Sequence, residues 1–170
     1  KRRAMYALYA FLRRTDDLGD SDESADVRRQ ALTKWREALE QALQGNSRDP
    51  LLPAVVDTLR RYRIPSELLK EAIEGVAMDL VPARYETFAE LEIYCRKVAG
   101  VVGVACLHIW GGDDSAAEQL AWTCGLAFQL TNIVRDLGED AEDDRFYLPA
   151  DDLSRFGVSE EEIRRGTMTP

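Results

Sequence analysis

"TFAELEIYCRKVAGVVGVACLHIW", residues 87–110, is the stretch on which the fold turns. Thr87 followed by Glu90 is the pattern of a capping box, in which a hydroxyl and a carboxylate satisfy N–H groups at a helix start. Beyond it, residues 98–109 are almost continuously apolar. No alternation of period two breaks the run, so it predicts a helix rather than a strand. A helix apolar around most of its circumference predicts a place at the centre of a bundle. Val98 to Trp110 falls short of the roughly 20 residues that cross a bilayer. Gly111-Gly112 ends the segment.

Helical periodicity continues on both sides. Residues 2–20 predict one helix. Ser24 caps a second, to about Leu43, which Gly45-Asn46 ends. Leu51 to Tyr62 predicts a third. Pro65 suits the first helical position of a fourth, to about Leu80, with Pro82 beyond it. Asp113 to Gly138 predicts a long helix, and "RFYLP" leads to two short helical segments near 150–156 and 159–165. The fold class is all-α.

The 170 residues are 45% hydrophobic and 31% charged, with a net charge of −9. This is the composition of a soluble globular protein. A non-specific nucleic-acid binder needs basic surface, so that class is excluded. Cys95, Cys106 and Cys124 form no CxxC and read as reduced core thiols. Lys1-Arg2-Arg3 opens the chain without the apolar region of a signal peptide. There is no initiator Met, and Thr167-Met168-Thr169-Pro170 closes no element. We expect a single domain over 1–170 that is incomplete at both ends.

Two helices carry carboxylates on one line. In "LTNIVRDLGED", residues 130–140, with Gln129 as zero, Asn132 falls near 300°, Asp136 near 340° and Asp140 near about 20°. Their surroundings are apolar, so the stripe is expected on a mostly buried helix, with Arg135 pointing roughly 100° from Asp136. In "YALYAFLRRTDDLGD", residues 6–20, with Tyr9 as zero, Arg13 falls near 40°, Asp16 near 340° and Asp20 near about 20°. Asp17 lies off the line at about 80°. Buried carboxylates cost several kcal/mol unless paired or bound to metal. Two facing pairs make a hard-oxygen site suited to Mg²⁺. Arg13, Arg135 and Arg145 suit phosphate oxygens. Together they predict a diphosphate with a greasy remainder. Other metal sites do not fit. An EF-hand from Asp20 meets Ala25 and Ala31 where Gly and Glu belong. A di-iron bundle needs two Glu-x-x-His motifs, and the chain has one histidine, His108. A zinc site lacks its Cys/His cluster.

"YALYAFLRRTDDLGD", "YCRKVAGVVG" and "QLTNIVRDLGEDAEDDRFYLP", joined by "GVAMDLVPARYETFAEL", resemble the squalene/phytoene synthase family of head-to-head prenyl diphosphate synthases. The resemblance runs in order through the whole chain. One departure is Leu12, where the family pattern has Cys. The resemblance implies the isoprenoid-synthase helical fold with a central cavity. It implies that Asp16, Asp20, Asn132, Asp136 and Asp140 hold Mg²⁺, with Mn²⁺ as a substitute, and that Arg13, Arg135 and Arg145 bind diphosphate. It places Tyr9, Asp79, Tyr94, Gln129 and Tyr147 near the reacting centre, with Tyr94 assisting proton removal or holding released diphosphate. Ala99, Gly100 and Gly103 leave room for a prenyl chain or serve tight helix packing.

The implied reaction joins two prenyl diphosphates, farnesyl or geranylgeranyl, to a squalene-, dehydrosqualene- or phytoene-type product. "VVGVACLHIWG" departs from the form associated with phytoene synthases and leans towards farnesyl diphosphate. Final product, NADPH use and oligomeric state stay open. The expected location is cytoplasmic, with peripheral membrane contact for product release. Another class I terpene synthase and a catalytically silent family scaffold remain as alternatives.

Overall fold

A computed structural model describes residues 1–112 and 114–166. Asp113, the expected start of the long helix, and Thr167–Pro170 lie outside the described residues. Ten α-helices are described: α1 Arg2–Gly19, α2 Ala25–Leu43, α3 Leu52–Tyr62, α4 Ser66–Met78, α5 Phe88–Cys95, α6 Val101–Trp110, α7 Ser115–Arg135, α8 Leu137–Glu142, α9 Ala150–Phe156 and α10 Glu160–Arg164. A π-helical turn, Arg96–Gly100, joins α5 to α6. Among the described residues the one β contact is an isolated parallel bridge between Arg84 and Phe146.

The predicted caps form. Ser24 accepts from the Val27 N–H and Thr87 from the Glu90 N–H. The Glu90 carboxylate accepts from the Glu86 N–H at 2.8 Å, one residue ahead of the position a capping box uses. Pro65 stands at the N-cap of α4 rather than inside it, and Asp79 is the C-cap at the other end.

The main core joins α1, α2, α3, α4 and α6 through Phe11, Leu39, Leu52, Leu69 and Ile109, all 2% exposed or less. Burying each such side chain stabilises the fold by roughly 1.5–3 kcal/mol. Phe11 stacks on Trp35, whose indole N–H donates to Thr15 Oγ at 3.0 Å. Thr15 in turn donates to the Phe11 carbonyl. This buried polar step fixes α1 one residue before Asp16.

Residues 88–110 form one continuous helix of 23 residues, longer than Val98 to Trp110. Its length and mean hydropathy of 1.3 would suffice to cross a bilayer. Here it packs on α1, α4 and α7. Its burial is one-sided, contrary to expectation. Val101, Val104 and Ile109 are buried, but Val98, Val102 and Leu107 line an open groove. Against α7 the approach is backbone to backbone. A Cβ on Gly125 would lie 2.7 Å from Gly100 Cα, and one on Gly100 would lie 2.3 Å from the Trp122 ring. Gly100 therefore serves tight packing, while Ala99 and Gly103 also line the groove.

The long carboxylate helix differs from its prediction in two ways. It ends at Arg135, Asp136 adopts φ −100° and ψ 10°, and α8 starts at Leu137. The four-residue ladder still passes through the break, because the Asp136 N–H donates to the Asn132 carbonyl and the Asp140 N–H to that of Asp136, both at 2.9 Å. Nor is α7 mostly buried. Gly125 and Ile133 are its buried residues, while Leu120, Phe128 and Val134 are more than 60% exposed. Among the described residues, α7 has neighbours on one face. The cysteines divide likewise: all three are free, with Cys95 buried, Cys106 half-buried and Cys124 exposed rather than in the core.

Candidate active site

The end of α1 carries Tyr9, Arg13, Asp16 and Asp20 onto the wall of a cavity of about 460 Å³. Thr15 from α1, Asp79 from the end of α4, Tyr94 from α5 and Gln129 from α7 complete the polar lining. Val98, Val102 and Gln129 are shared with an adjoining apolar groove of about 700 Å³, which also reaches Asn132. A polar chamber thus opens directly into a greasy one.

Asp79 is the hub of the chamber. It accepts hydrogen bonds from the Tyr94 hydroxyl at 2.9 Å and the Tyr147 hydroxyl at 2.8 Å. Burial raises its pKa against the opposing effect of both phenols and of Arg145. Burial, then the charge of Asp79, pushes Tyr94 and Tyr147 well above the usual phenol range. Tyr85 packs against both rings, at 5.7 and 6.2 Å between centroids. Sequence reasoning missed Tyr85, because it lies in the loop after Pro82, where periodicity carries no signal.

The two aspartate pairs are placed differently. Asp16 has a raised pKa, first from burial and then from the like charge of Asp20, with Arg13 opposing. Arg13 is held by the off-line Asp17 at 2.8 Å. Asp136 and Asp140 do not line the cavity wall. Asp140 is also raised by burial, against Arg145. Asp136 is lowered by Arg135. The expected divergence of these neighbours does not hold, because the guanidinium folds back and makes a fork of 2.7 and 2.6 Å on the Asp136 carboxylate. A helical projection fixes the Cβ direction but not the reach of a long side chain.

Arg145 ties the second pair to the chamber. It donates to Asp143 at 2.7 Å, lies 3.5 Å from Asp140 and carries a charge felt at Asp79. Its buried Nε has no hydrogen-bond partner, since the approach to Asp140 is an ion-pair contact without hydrogen-bond geometry. A buried guanidinium N–H with unused capacity suits an anionic oxygen. The donor set also suits a hard divalent cation. Asp16 and Asp20 are like charges on one face, and their repulsion is what a cation relieves. Among the described residues no three His, Cys, Asp or Glu side chains converge on one point. The expected convergence of Asp16, Asp20, Asp136 and Asp140 on one ion is thus not present among the described residues.

Solved structures share this fold. A squalene synthase from Alicyclobacillus acidocaldarius superposes with a TM-score of 0.88 at 33% identity, covering 95% of this chain and 61% of that one. A dehydrosqualene synthase superposes at 0.86 and 32% identity, covering 96% and 58%. The architecture is therefore the isoprenoid-synthase helical fold. The squalene/phytoene synthase family model matches residues 1–170, and the chain belongs to that family. Among curated relatives, phytoene synthase 1 of Arabidopsis thaliana is 39% identical over 99% of this chain and 42% of its own length. The 15-cis-phytoene synthase of Synechocystis is 39% identical over 98% of this chain and 53% of its own length. The chain spans about half the length of these relatives.

Proposed function

We propose that this chain forms the catalytic part of an enzyme that joins two prenyl diphosphates head to head. The observation that carries the reading is the shared wall of Val98, Val102 and Gln129 between a carboxylate-lined chamber and an apolar groove. A charged head and a greasy tail then have adjacent places.

Asp16, Asp20, Asn132, Asp136 and Asp140 would hold Mg²⁺ or Mn²⁺, which supplies charge neutralisation to a departing diphosphate. Arg13, Arg135 and Arg145 offer guanidinium donors to the same oxygens. Loss of diphosphate leaves an allylic cation in the first substrate. The double bond of the second attacks it, and loss of a proton closes a cyclopropyl-carbinyl diphosphate. A second ionisation and rearrangement give a linear C30 or C40 cation, which loses a proton to give a dehydrosqualene- or phytoene-type product or accepts hydride from NADPH to give a squalene-type product. The groove keeps water from the cation. Tyr94 and Tyr147 stay protonated at neutral pH, so neither serves as a preformed base. A proton leaving the substrate passes to the Tyr94 oxygen as the phenol's own proton moves to Asp79.

The substrate length divides the family members reported above. The sequence relatives are phytoene synthases, and the structural neighbours are squalene and dehydrosqualene synthases. Incubating the full-length protein with farnesyl and geranylgeranyl diphosphate, with and without Mg²⁺ and NADPH, decides between them. Absence of Mg²⁺-dependent diphosphate release from either substrate would sink the proposal and leave a silent scaffold.

A further inference from the structure

We infer that Arg84, which lies outside the cavity, is a positioning residue for Arg145 and Tyr147. The inference rests on the functional reading above. One guanidinium gathers the whole turn that follows α8. Its Nη1 donates to the Asp144 carbonyl at 2.6 Å and to the Ala83 carbonyl at 2.9 Å. Its Nη2 donates to the Asp144 carboxylate at 2.9 Å and to Glu160 at 3.1 Å. Its Nε lies 2.7 Å from the second Glu160 oxygen. Its plane sits 4.3 Å over the Phe146 ring. Arg164 adds a further contact to Asp144 at 3.0 Å and to the Phe146 ring at 5.5 Å. All the donor groups of Arg84 are thus engaged on the segment it orders, on Glu160 or on its own loop.

The turn carries an uncommon backbone conformation. Asp144 has φ 58°, a left-handed conformation that non-glycine residues seldom adopt. Glycine would take it freely, and aspartate tolerates it better than most residues but at some cost, which the contacts of Arg84 offset. The backbone is then extended through Phe146, whose N–H donates to the Ala83 carbonyl at 3.0 Å. Extended backbone sends alternate side chains to opposite faces. Phe146 turns to Arg84, while Arg145 turns to Asp140 and Asp143 and Tyr147 to Asp79. Arg84 therefore sets, through Asp144 and Phe146, where the unpartnered Arg145 Nε and the Tyr147 hydroxyl stand. A displacement of the order of 1 Å at such groups can cost about 100-fold in rate.

The test uses the full-length protein with Mg²⁺ and inorganic diphosphate, followed by calorimetry, and amide hydrogen exchange over residues 145–147. Arg84→Ala is expected to weaken diphosphate binding about tenfold and raise exchange at Phe146, with little change in Tm. Asp144→Gly in the Arg84→Ala background is expected to recover part of the binding, because glycine enters the left-handed conformation without steric cost. Arg84→Lys, which keeps the charge and loses the fork, should behave like Arg84→Ala. Arg84→Ala that binds and exchanges like wild type overturns the inference. So does a loss that tracks a collapse of cooperative unfolding and is not recovered by Asp144→Gly. A wild-type protein that binds no diphosphate removes the functional reading instead, and exchange at Phe146 then still decides whether Arg84 orders the turn.

Discussion

Asp16 and Asp20 close an unbroken helix whose side chains face the chamber, whereas Asp136 and Asp140 straddle the break between α7 and α8. Both pairs have the same four-residue spacing, and burial raises Asp140 as it raises Asp16, but Asp136 is driven the other way. Burial and a like charge raise the Asp16 pKa, and an adjacent guanidinium lowers that of Asp136. The first pair is short of positive charge, and the second already holds some of its own. A cation shared between them would relieve repulsion on one side and compete with Arg135 on the other.

The largest effects fall on turnover. Asp16→Ala and Asp136→Ala in the full-length enzyme should each lower Mg²⁺-dependent diphosphate release by about 10²–10³-fold. Wild-type rates in either variant would break the assignment of both pairs to one site. Asp79→Asn comes next, since Asp79 senses both Asp20 and Arg145. It should lower kcat by about tenfold or more. It should also raise the Tm by a few degrees at neutral pH, because a desolvated charge worth about 1 kcal/mol is removed. The raised pKa sets the sign. The native state holds its proton more tightly than the unfolded chain, so the destabilisation is absent below the ordinary value of 3.8 and grows as pH rises through the native pKa. Thermal melts that show no gain above that window would count against the buried charge.

The same logic sharpens the contrast between the pairs. Stability referred to Asp16 should fall as pH rises above 3.8, and that referred to Asp136 should rise with pH up to 3.8. Melting Asp16→Asn and Asp136→Asn beside wild type across this range should therefore give difference curves of opposite slope. Curves of the same slope would mean that the Arg135 fork does not persist in solution. The smallest effect belongs to Asp17, whose exposed pair with Arg13 should be worth no more than about 0.5 kcal/mol by denaturant unfolding of Asp17→Asn.

Much of this was legible in residue order. Ser24 and Thr87 marked helix starts because capping is a local hydrogen bond. The spacing of Tyr9, Arg13, Asp16 and Asp20 put them on one face, and all four line one cavity. The resemblance of the motifs carried Asp79, Tyr94 and Gln129 to the same wall. Tyr85 and Arg84 escaped notice because they act from a loop, where no period reports direction. Arg135 was misjudged because a long guanidinium can reach back past its own Cβ. The exposure of α7 was misjudged because apolar composition says that a face wants cover, not that described residues supply it.

By itself, then, the order of residues determined the class, most helix boundaries and the composition of the two carboxylate pairs, since each depends on neighbours within a few positions along the chain. Tertiary structure alone decided that Asp79 would be the acceptor for Tyr94 and Tyr147, that Gly100 and Gly125 would bring two backbones into contact, and that Asp16 would be desolvated while Asp136 was paired. Those outcomes depend on distances between residues far apart in sequence, and on the burial that sets the cost of each charge.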